Sequence, residues 1–256
     1  RLLRQVTVGE ERVDSIHAIR THCRRLQALL ELCGEAGCAR EVAEGVSRLS
    51  TLRALQVFRQ YLVSYDATQK DLTMVDDRLA KQRRKLARTE AYQKIERVVS
   101  KQALQGIASP LDGGSRRLDA RRHAHERQLK ELIVAASDKP RRKRLHALRL
   151  ALKTIRYQTE WLSGRTGVTQ DVLSQLKRVQ TILGRYEELA DFRRWGIKLS
   201  RPVQQRIRKD WKRARKRARD VPDRLQWLLD ALASGHVWSV DGLPVRSVDR
   251  KSTGLV

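Results

Sequence analysis

Apolar residues recur at helical spacing in two segments that begin near positions 16 and 145. In both segments they stand three or four residues apart, which predicts that one face of each helix packs into a core. The positions are Ile16, Ile19, Cys23, Leu26, Leu30 and Cys33 in the first segment, and Leu145, Leu148, Leu152 and Ile155 in the second, where Thr159 replaces the next leucine. The shared spacing indicates two equivalent helices.

A histidine and two cations follow directly after apolar positions in both segments. The two basic rows are His17, Arg20 and Arg24, and His146, Arg149 and Lys153. Because each member comes one residue after an apolar position, each row lies at a fixed angle beside the packed face of its helix. Two such rows in one chain predict two parts of a single anion-binding surface.

The rest of the chain also has helical periodicity, and alternating β-branched runs with hairpin turns are absent from the sequence. We therefore predict an all-α protein. Four of the five prolines fall at joints between helical patterns. The predicted helices cover residues 10–33, 39–62, 72–105 (with a break near Glu90), 116–136, 140–163, 170–199, 202–219 and 222–233. From residue 236 onward we expect an extended or disordered tail.

Two further matches extend the repeat. Leu49–Leu55 matches Leu183–Leu189 at an offset of 134 residues, and Lys81–Lys85 aligns more loosely with Arg213–Arg217 at an offset of 132. The simplest organisation is two helical halves joined around residues 112–114. The predicted division is an N-terminal half at 9–112, a C-terminal half at 113–235 and the tail at 236–256.

The net charge of the chain indicates what kind of partner it binds. Its 256 residues contain 55 Lys or Arg against 29 Asp or Glu, a net charge of +26. Like charge at this density is self-repulsive, and a polyanionic partner relieves the repulsion. Residues 201–219 alone carry ten Lys or Arg and one acid, Asp210. Such a helix is expected to flank a groove or to project into solvent.

Cysteine content and hydropathy indicate the cellular compartment in which the protein is expected. The three cysteines, Cys23, Cys33 and Cys38, are an odd number, and we interpret them as small core residues in a reducing compartment. No apolar run approaches the ~20 residues that a transmembrane helix needs. No secretory signal is visible either, although the chain opens at Arg1 without a methionine. We expect a cytoplasmic protein.

Three motifs resemble those of the CHAD family, the conserved histidine α-helical domain. They are His-x-x-Arg-x-x-x-Arg-Arg-Leu at His17, His-x-x-Arg-x-x-x-Lys-x-Ile-Arg-Tyr at His146, and Leu-Gly-x-Tyr-x-x-Leu at Leu183. The resemblance covers roughly residues 10–235. It implies two four-helix bundles related by pseudo-two-fold symmetry, with a basic groove between or across them. It also implies a non-catalytic protein that binds inorganic polyphosphate and associates with polyphosphate granules.

The resemblance also implies which residues contact the polymer. Carried over by motif, these are His17, Arg20, Arg24, His146, Arg149, Lys153 and Arg156. From the other basic segments we add Arg206, Lys209, Arg213, Lys216, Lys81 and Arg84 as candidate contacts. The sequence differs from the family where Glu187 and Glu188 replace an Asn-Asp pair, positions expected to orient neighbouring basic side chains. No cofactor and no metal site is expected.

The residue types suit a phosphate polymer. From His17 to Arg24 a helix rises roughly 10 Å, so one row can contact several successive phosphates. Arginine grips phosphate oxygens bidentately and lysine supplies a point charge. Protonated His17 and His146 would add donors, so we expect tighter binding at mildly acidic pH.

Two other functions are alternatives to polyphosphate binding. Non-specific nucleic-acid binding to the phosphate backbone fits the charge, but the aromatic residues are few and scattered, and no RNA- or DNA-binding motif is present. An enzyme of phosphoryl transfer would need a carboxylate cluster or a phosphate-binding glycine loop. We interpret the acidic groupings Asp76-Asp77 and Glu187-Glu188 with Asp191 as surface ion pairs.

Overall fold

The computed structural model describes residues 13–87, 97, 115–162 and 170–233, and in these residues the secondary structure is helical throughout, without a strand. The α-helices are α1 (Val13–Cys33), α2 (Ala36–Val63), α3 (Gln69–Ala87), α4 (Ser115–Asp138), α5 (Arg142–Leu162), α6 (Gln170–Trp195), α7 (Arg201–Arg219) and α8 (Gln226–Ala233). The predicted all-α class is confirmed.

Most predicted helix ends lie within a few residues of the observed ones. The helix predicted at 170–199 instead ends at Trp195 and continues as a short 3₁₀ turn, Gly196–Lys198. The helix predicted at 72–105 begins three residues earlier, at Gln69, and is described as far as Ala87. The remainder of that prediction, apart from Arg97, and the predicted tail from residue 236 lie outside the described residues.

A tight turn reverses the chain between α1 and α2. Gly34 has a φ of +89°, a left-handed conformation that glycine adopts without strain. The Glu35 amide donates to Leu30 O at 2.9 Å and the Gly34 amide to Glu31 O at 3.3 Å. Arg121 of α4 donates to Leu32 O at 3.3 Å. The last carbonyl groups of α1 thereby accept hydrogen bonds. Only two residues separate the end of α1 from the start of α2.

The helices pack as consecutive neighbours around one core. Helix α1 packs on α2 and α2 on α3, while α4 packs on α5, α5 on α6 and α6 on α7. Helix α1 also packs along α5, and this contact joins the two series. The buried apolar residues of both series form one continuous cluster, from Ile16 to Leu228. The apolar faces of α1 and α5, which the sequence predicted, meet inside this cluster.

Aromatic side chains fill the contact between α2 and α6. The rings of Phe58 and Phe192 stack with centroids 4.7 Å apart, and Trp195 lies 5.8 Å from Phe58. Phe58 and Phe192 are fully buried. Burial of two large rings in one place ties the N-terminal helices to the C-terminal ones.

A buried carboxylate links α3 to the start of α7. Asp71 is 3% exposed and accepts hydrogen bonds from the Ser200 amide at 2.8 Å and from the Ser200 hydroxyl at 2.7 Å. Thr68 Oγ1 donates to it at 2.8 Å. Burial would raise the pKa of Asp71, but these hydrogen bonds outweigh burial and hold the pKa below its ordinary value. The contact spans 129 residues of sequence and fixes where α7 begins.

Candidate functional site

The two predicted basic rows come together where α1 packs along α5. Their supporting residues are buried as predicted: Ile16, Leu148 and Leu152 are each 0% exposed. Thr159, which replaces a leucine in the second stripe, is also fully buried, and its hydroxyl donates to Ile155 O at 2.8 Å. The hydroxyl is thereby satisfied within its own helix. Arg20 and Arg24 of the first row lie close enough to Lys153 of the second for their charges to repel it.

Lys153 lies at the centre of a cation cluster that we define as Arg20, Arg24, Arg149, Lys153 and Arg156. Burial, and after it charge repulsion from the four arginines, two on α1 and two on α5, together lower the pKa of Lys153 to about 7. In the described part of the chain Lys153 has neither a hydrogen bond nor an ion pair. The cluster is thus an accumulation of positive charge that lacks balancing acids at its centre.

Arg20 is held by α2. Its Nη2 atom donates to Ser50 Oγ at 3.3 Å. Its buried Nε atom finds no hydrogen-bond acceptor among the described residues. Burial lowers the pKa of Arg20 to about 10, and repulsion from Arg24, Arg149 and Arg53 acts in the same direction. Arg20 therefore stays charged at neutral pH and has one buried donor without an acceptor among the described residues.

Arg149 is the counterpart of Arg20 on α5. Its Nε atom is also buried without an acceptor in the described residues. Its guanidinium lies against α6 at Gly184, where a side chain would come within 3.5 Å of Nε. Burial lowers the pKa of Arg149, while Glu188 and Glu187 oppose that effect. A methyl group at the glycine of the Leu-Gly-x-Tyr motif would thus be in ordinary contact with Arg149.

Arg24 and Arg156 lie at the edges of the cluster. Arg24 Nη1 donates to Gln27 Oε1 at 2.5 Å, and burial lowers the pKa of Arg24. Arg156 pairs with Glu160 at 3.2 Å, and its guanidinium lies 4.5 Å from the centre of the Tyr157 ring. Both arginines have a partner, so their positions are better fixed than that of Lys153.

The two histidines are at the exposed ends of the rows. His146 Nδ1 lies 3.5 Å from Glu187 Oε2, and Arg142 pairs with the same oxygen at 3.0 Å. Arg142 also pairs with Asp191 at 2.9 Å. Burial would raise the pKa of Glu187, but hydrogen bonds with His146 and Arg142 lower it. Glu187 and Asp191 therefore form ion pairs, as predicted for this acidic group.

A cleft of about 430 Å³ opens beside the cation cluster, between α1, α4 and α5. Arg24 and Lys153 line it, together with His125 and Tyr157. His125 Nδ1 contacts the buried Gln158 amide, whose nitrogen donates to Ala28 O at 3.1 Å. The cleft gives an anion access to one side of the cluster.

Lys81 and Arg84 line a second, larger cleft of about 970 Å³, which also involves Thr51 and Trp195. Arg78 and Lys85 complete its basic lining. Arg78 donates to Trp195 O at 3.4 Å, which fixes α3 against the end of α6. Thr51 of this cleft follows Ser50, the hydrogen-bond partner of Arg20, in the sequence of α2.

The predicted row on α7 is exposed but partly neutralised. Arg206, Lys209, Arg213 and Lys216 are all exposed, while the opposite face of α7 is buried. Asp210 pairs with Arg206 at 3.7 Å and with Arg213 at 3.9 Å. The hydroxyls of Tyr61 and Tyr65 both donate to Asp210, at 3.1 and 3.0 Å. Asp210 therefore attaches α7 to α2, and two cations of the row are held by it.

Sequence reasoning missed the basic residues that the neighbouring helices contribute. Arg53 of α2 stands close enough to Arg20 to lower its pKa. Arg78 and Lys85 join Lys81 and Arg84 in the second cleft. Arg53 falls inside the matched segment Leu49–Leu55, so the internal repeat was a signal that could have identified it.

Comparison with known proteins identifies the family. The family model of the CHAD domain matches residues 2–196 of the chain, and the chain therefore belongs to the CHAD domain family. The match covers α1 to α6 and both histidine helices, whereas α7 and α8 lie beyond it. No curated protein and no solved structure gave a significant match.

The described residues contain neither a metal-binding group of side chains nor a membrane-spanning helix. Within ranges 13–87, 115–162 and 170–233, no three His, Cys, Asp or Glu side chains are grouped closely enough to hold a metal ion. None of the described helices combines the length and the hydropathy of a membrane span.

Proposed function

We propose that this protein binds inorganic polyphosphate without acting on it, and that the cation cluster is the centre of the binding site. The observation that carries the proposal is the meeting of four arginines from α1 and α5 around Lys153. Buried Nε donors on Arg20 and Arg149 that lack acceptors among the described residues support it. A polymer of phosphates offers closely spaced oxygens to all of these groups at once.

The binding surface that we propose runs through the cluster as a basic groove. His17 and His146 would lie at its ends, with Lys81 and Arg84 in the adjoining cleft. The α7 residues Arg206, Lys209, Arg213 and Lys216 would extend it. We propose further that residues 9–112 and 113–235 form two four-helix bundles with pseudo-two-fold symmetry. The packing of α1 along α5 supports that arrangement, since these helices carry the two copies of the motif.

The aromatic side chains favour a polymer without bases over a nucleic acid. Arg156 lies 4.5 Å from the Tyr157 ring centre, Arg193 lies 4.3 Å from that of Trp211, and Arg206 lies 4.5 Å from that of Tyr65. Proteins that bind single strands need open aromatic faces on which bases can stack. Faces covered by guanidinium groups serve that purpose poorly. We accordingly propose a role in polyphosphate storage or granule association in the cytoplasm.

A length series tests the proposal. Affinity is measured at fixed salt for long-chain polyphosphate, tripolyphosphate, pyrophosphate and double-stranded DNA. We expect affinity to rise with polyphosphate length, and long chains to displace the protein from DNA at a phosphate concentration at least about tenfold below that needed for the reverse. Displacement by DNA at the lower concentration would support nucleic-acid binding instead. Unchanged polymer length after incubation with and without Mg²⁺ is expected for a non-catalytic protein, and phosphate release would overturn that part.

A further inference from the structure

We propose that Lys153 links polymer capture to proton uptake: at mildly alkaline pH its side chain is a neutral amine in the free protein and becomes an ammonium when a phosphate polymer binds. This inference rests on the proposed function and adds the regulation of that same site by pH. It concerns one side chain at the centre of the cation cluster rather than the exposed histidines at the ends of the rows.

The charged groups around Lys153 come from five helices. Those that face it or the cluster are Arg20, Arg24 and Glu31 from α1, Arg53 from α2, His125 from α4, Arg149 and Arg156 from α5, and Glu187 and Glu188 from α6. The acids act on the arginines: Glu187 and Glu188 on Arg149, and Glu31 on Arg24. Lys153 itself has no ion pair within the described residues.

An ammonium group is therefore poorly stabilised at this position. Lys153 is half-buried, so its charged form loses hydration, and four guanidinium groups repel it. These effects lower the pKa of Lys153 to about 7. The arginines behave differently, because even at Arg20 the pKa falls only to about 10. Lys153 is thus the member of the cluster that titrates near neutral pH.

The direction of the pH dependence follows from this difference. A polyanion favours the charged form and raises the pKa of Lys153 in the complex. Below pH 7 the lysine is protonated with or without polymer, so its titration leaves the affinity unchanged. Above pH 7 the free protein loses the proton and binding must recover it, so the affinity falls as pH rises. Between pH 7 and pH 8.5 we expect a loss of about tenfold.

Calorimetry measures the proton directly. Long-chain polyphosphate is titrated into the full chain at pH 7.5, in two buffers that differ in ionisation enthalpy and are matched in salt. Long chains are used because their internal phosphates carry no proton that titrates in this range. We expect uptake of about 0.5 to 1 proton per binding site, and an affinity that falls from pH 7 to pH 8.5.

Three variants assign the proton to Lys153. K153M removes the titrating group and keeps the volume, so it should bind more weakly at pH 7 and lose both the proton uptake and the pH slope. K153R retains a charge that does not titrate, so it should bind without uptake, which keeps the test valid if K153M folds poorly. The control K70M removes an exposed lysine from α3 and should behave as the unchanged protein does.

The outcomes separate this inference from the proposed function. If the unchanged protein binds long-chain polyphosphate with equal affinity at pH 7 and 8.5 and without proton uptake, the inference is wrong and the function stands. If a double variant H17N/H146N abolishes the pH slope while K153M keeps it, histidines carry the proton and the inference is also wrong. Absence of polyphosphate binding at every pH would overturn the function itself.

Discussion

Gly184 lies against Arg149, and a Cβ atom at residue 184 would stand 3.5 Å from the Nε atom of that arginine. The matching position of the first repeat is Ser50, which accepts a hydrogen bond from Arg20 at 3.3 Å. The neighbouring helix therefore holds Arg20 by a hydrogen bond, whereas beside Arg149 it leaves room for about one methyl group. The repeat visible in the sequence corresponds to similar surroundings of the two side chains.

Substitutions at Gly184 should distinguish the effect of side-chain volume on the position of Arg149 from the effect of helix propensity on stability. A methyl group would make ordinary contact with Arg149, so Gly184→Ala should keep the affinity for polyphosphate and add up to about 1 kcal/mol of stability. Gly184→Leu should displace the guanidinium and weaken binding about tenfold, the loss of one charge-assisted contact. Titration of labelled long-chain polyphosphate measures this. Equal affinities of the two variants would contradict the role given to Gly184.

Substitutions at Gly34 and at the control position Gly37 test the turn between α1 and α2. Gly34 has a φ of +89°, and a Cβ atom there would collide with the guanidinium of Arg121. Gly34→Ala should therefore lower the free energy of unfolding by about 1–2 kcal/mol. Gly37, in the first turn of α2, has open space around it and serves as the control. Gly37→Ala should be neutral or stabilising in urea denaturation, and an equal loss at both sites would argue against the turn geometry.

Local sequence signals predicted the helices and the two basic rows, because both depend on spacing within one helix. Ile16, Ile19 and their equivalents on α5 fix which side of each helix is buried, and so fix where Arg20 and Arg149 stand. The depth at which Lys153 lies depends instead on how closely α1 approaches α5. Asp71 and Ser200 meet across 129 residues, and neither has a local pattern that indicates the other. The distances between helices could therefore not be predicted from the sequence.

The link between Asp71 and Ser200 should contribute to stability above the acid range. Asp71→Asn keeps the size of the side chain but removes its charge, and should cost about 1–3 kcal/mol at pH 7. Because the folded-state pKa of Asp71 is below its ordinary value, this stability is full above about pH 5 and is lost as pH falls through the folded pKa. Denaturation at pH 7 and pH 3 measures the difference between the two proteins. A difference that grows on acidification would contradict this account.

The cysteines should differ in reactivity, because two of them belong to the buried stripe of α1. Burial raises the pKa of Cys23 to about 11, and burial also raises that of Cys33. Cys38 is only partly buried. Iodoacetamide at pH 8 should therefore modify Cys38 first in the native protein and all three after denaturation. Mass spectrometry of the peptides shows the order in which the cysteines are modified. Early modification of Cys23 would mean that the apolar face of α1 is accessible to solvent, which would contradict the packing described here.

The central claim is that cations from α1 and α5 act together on one polymer, and the double variant Arg20→Gln/Arg149→Gln tests it most directly. The control Arg40→Gln/Arg48→Gln removes the same charge from exposed positions on α2. Both proteins should remain folded, and loss of the repelling pair should leave the stability of the first variant equal or higher.

The deciding measurement is the affinity of both variants for long-chain polyphosphate over a range of salt concentrations. The central pair should cost about 100-fold in affinity and reduce the slope of log affinity against log salt by about 1.4–1.8, as expected for two lost phosphate contacts. The control should stay within about threefold of the unchanged protein. Equal losses in the two variants, or none in the central pair, would contradict the account.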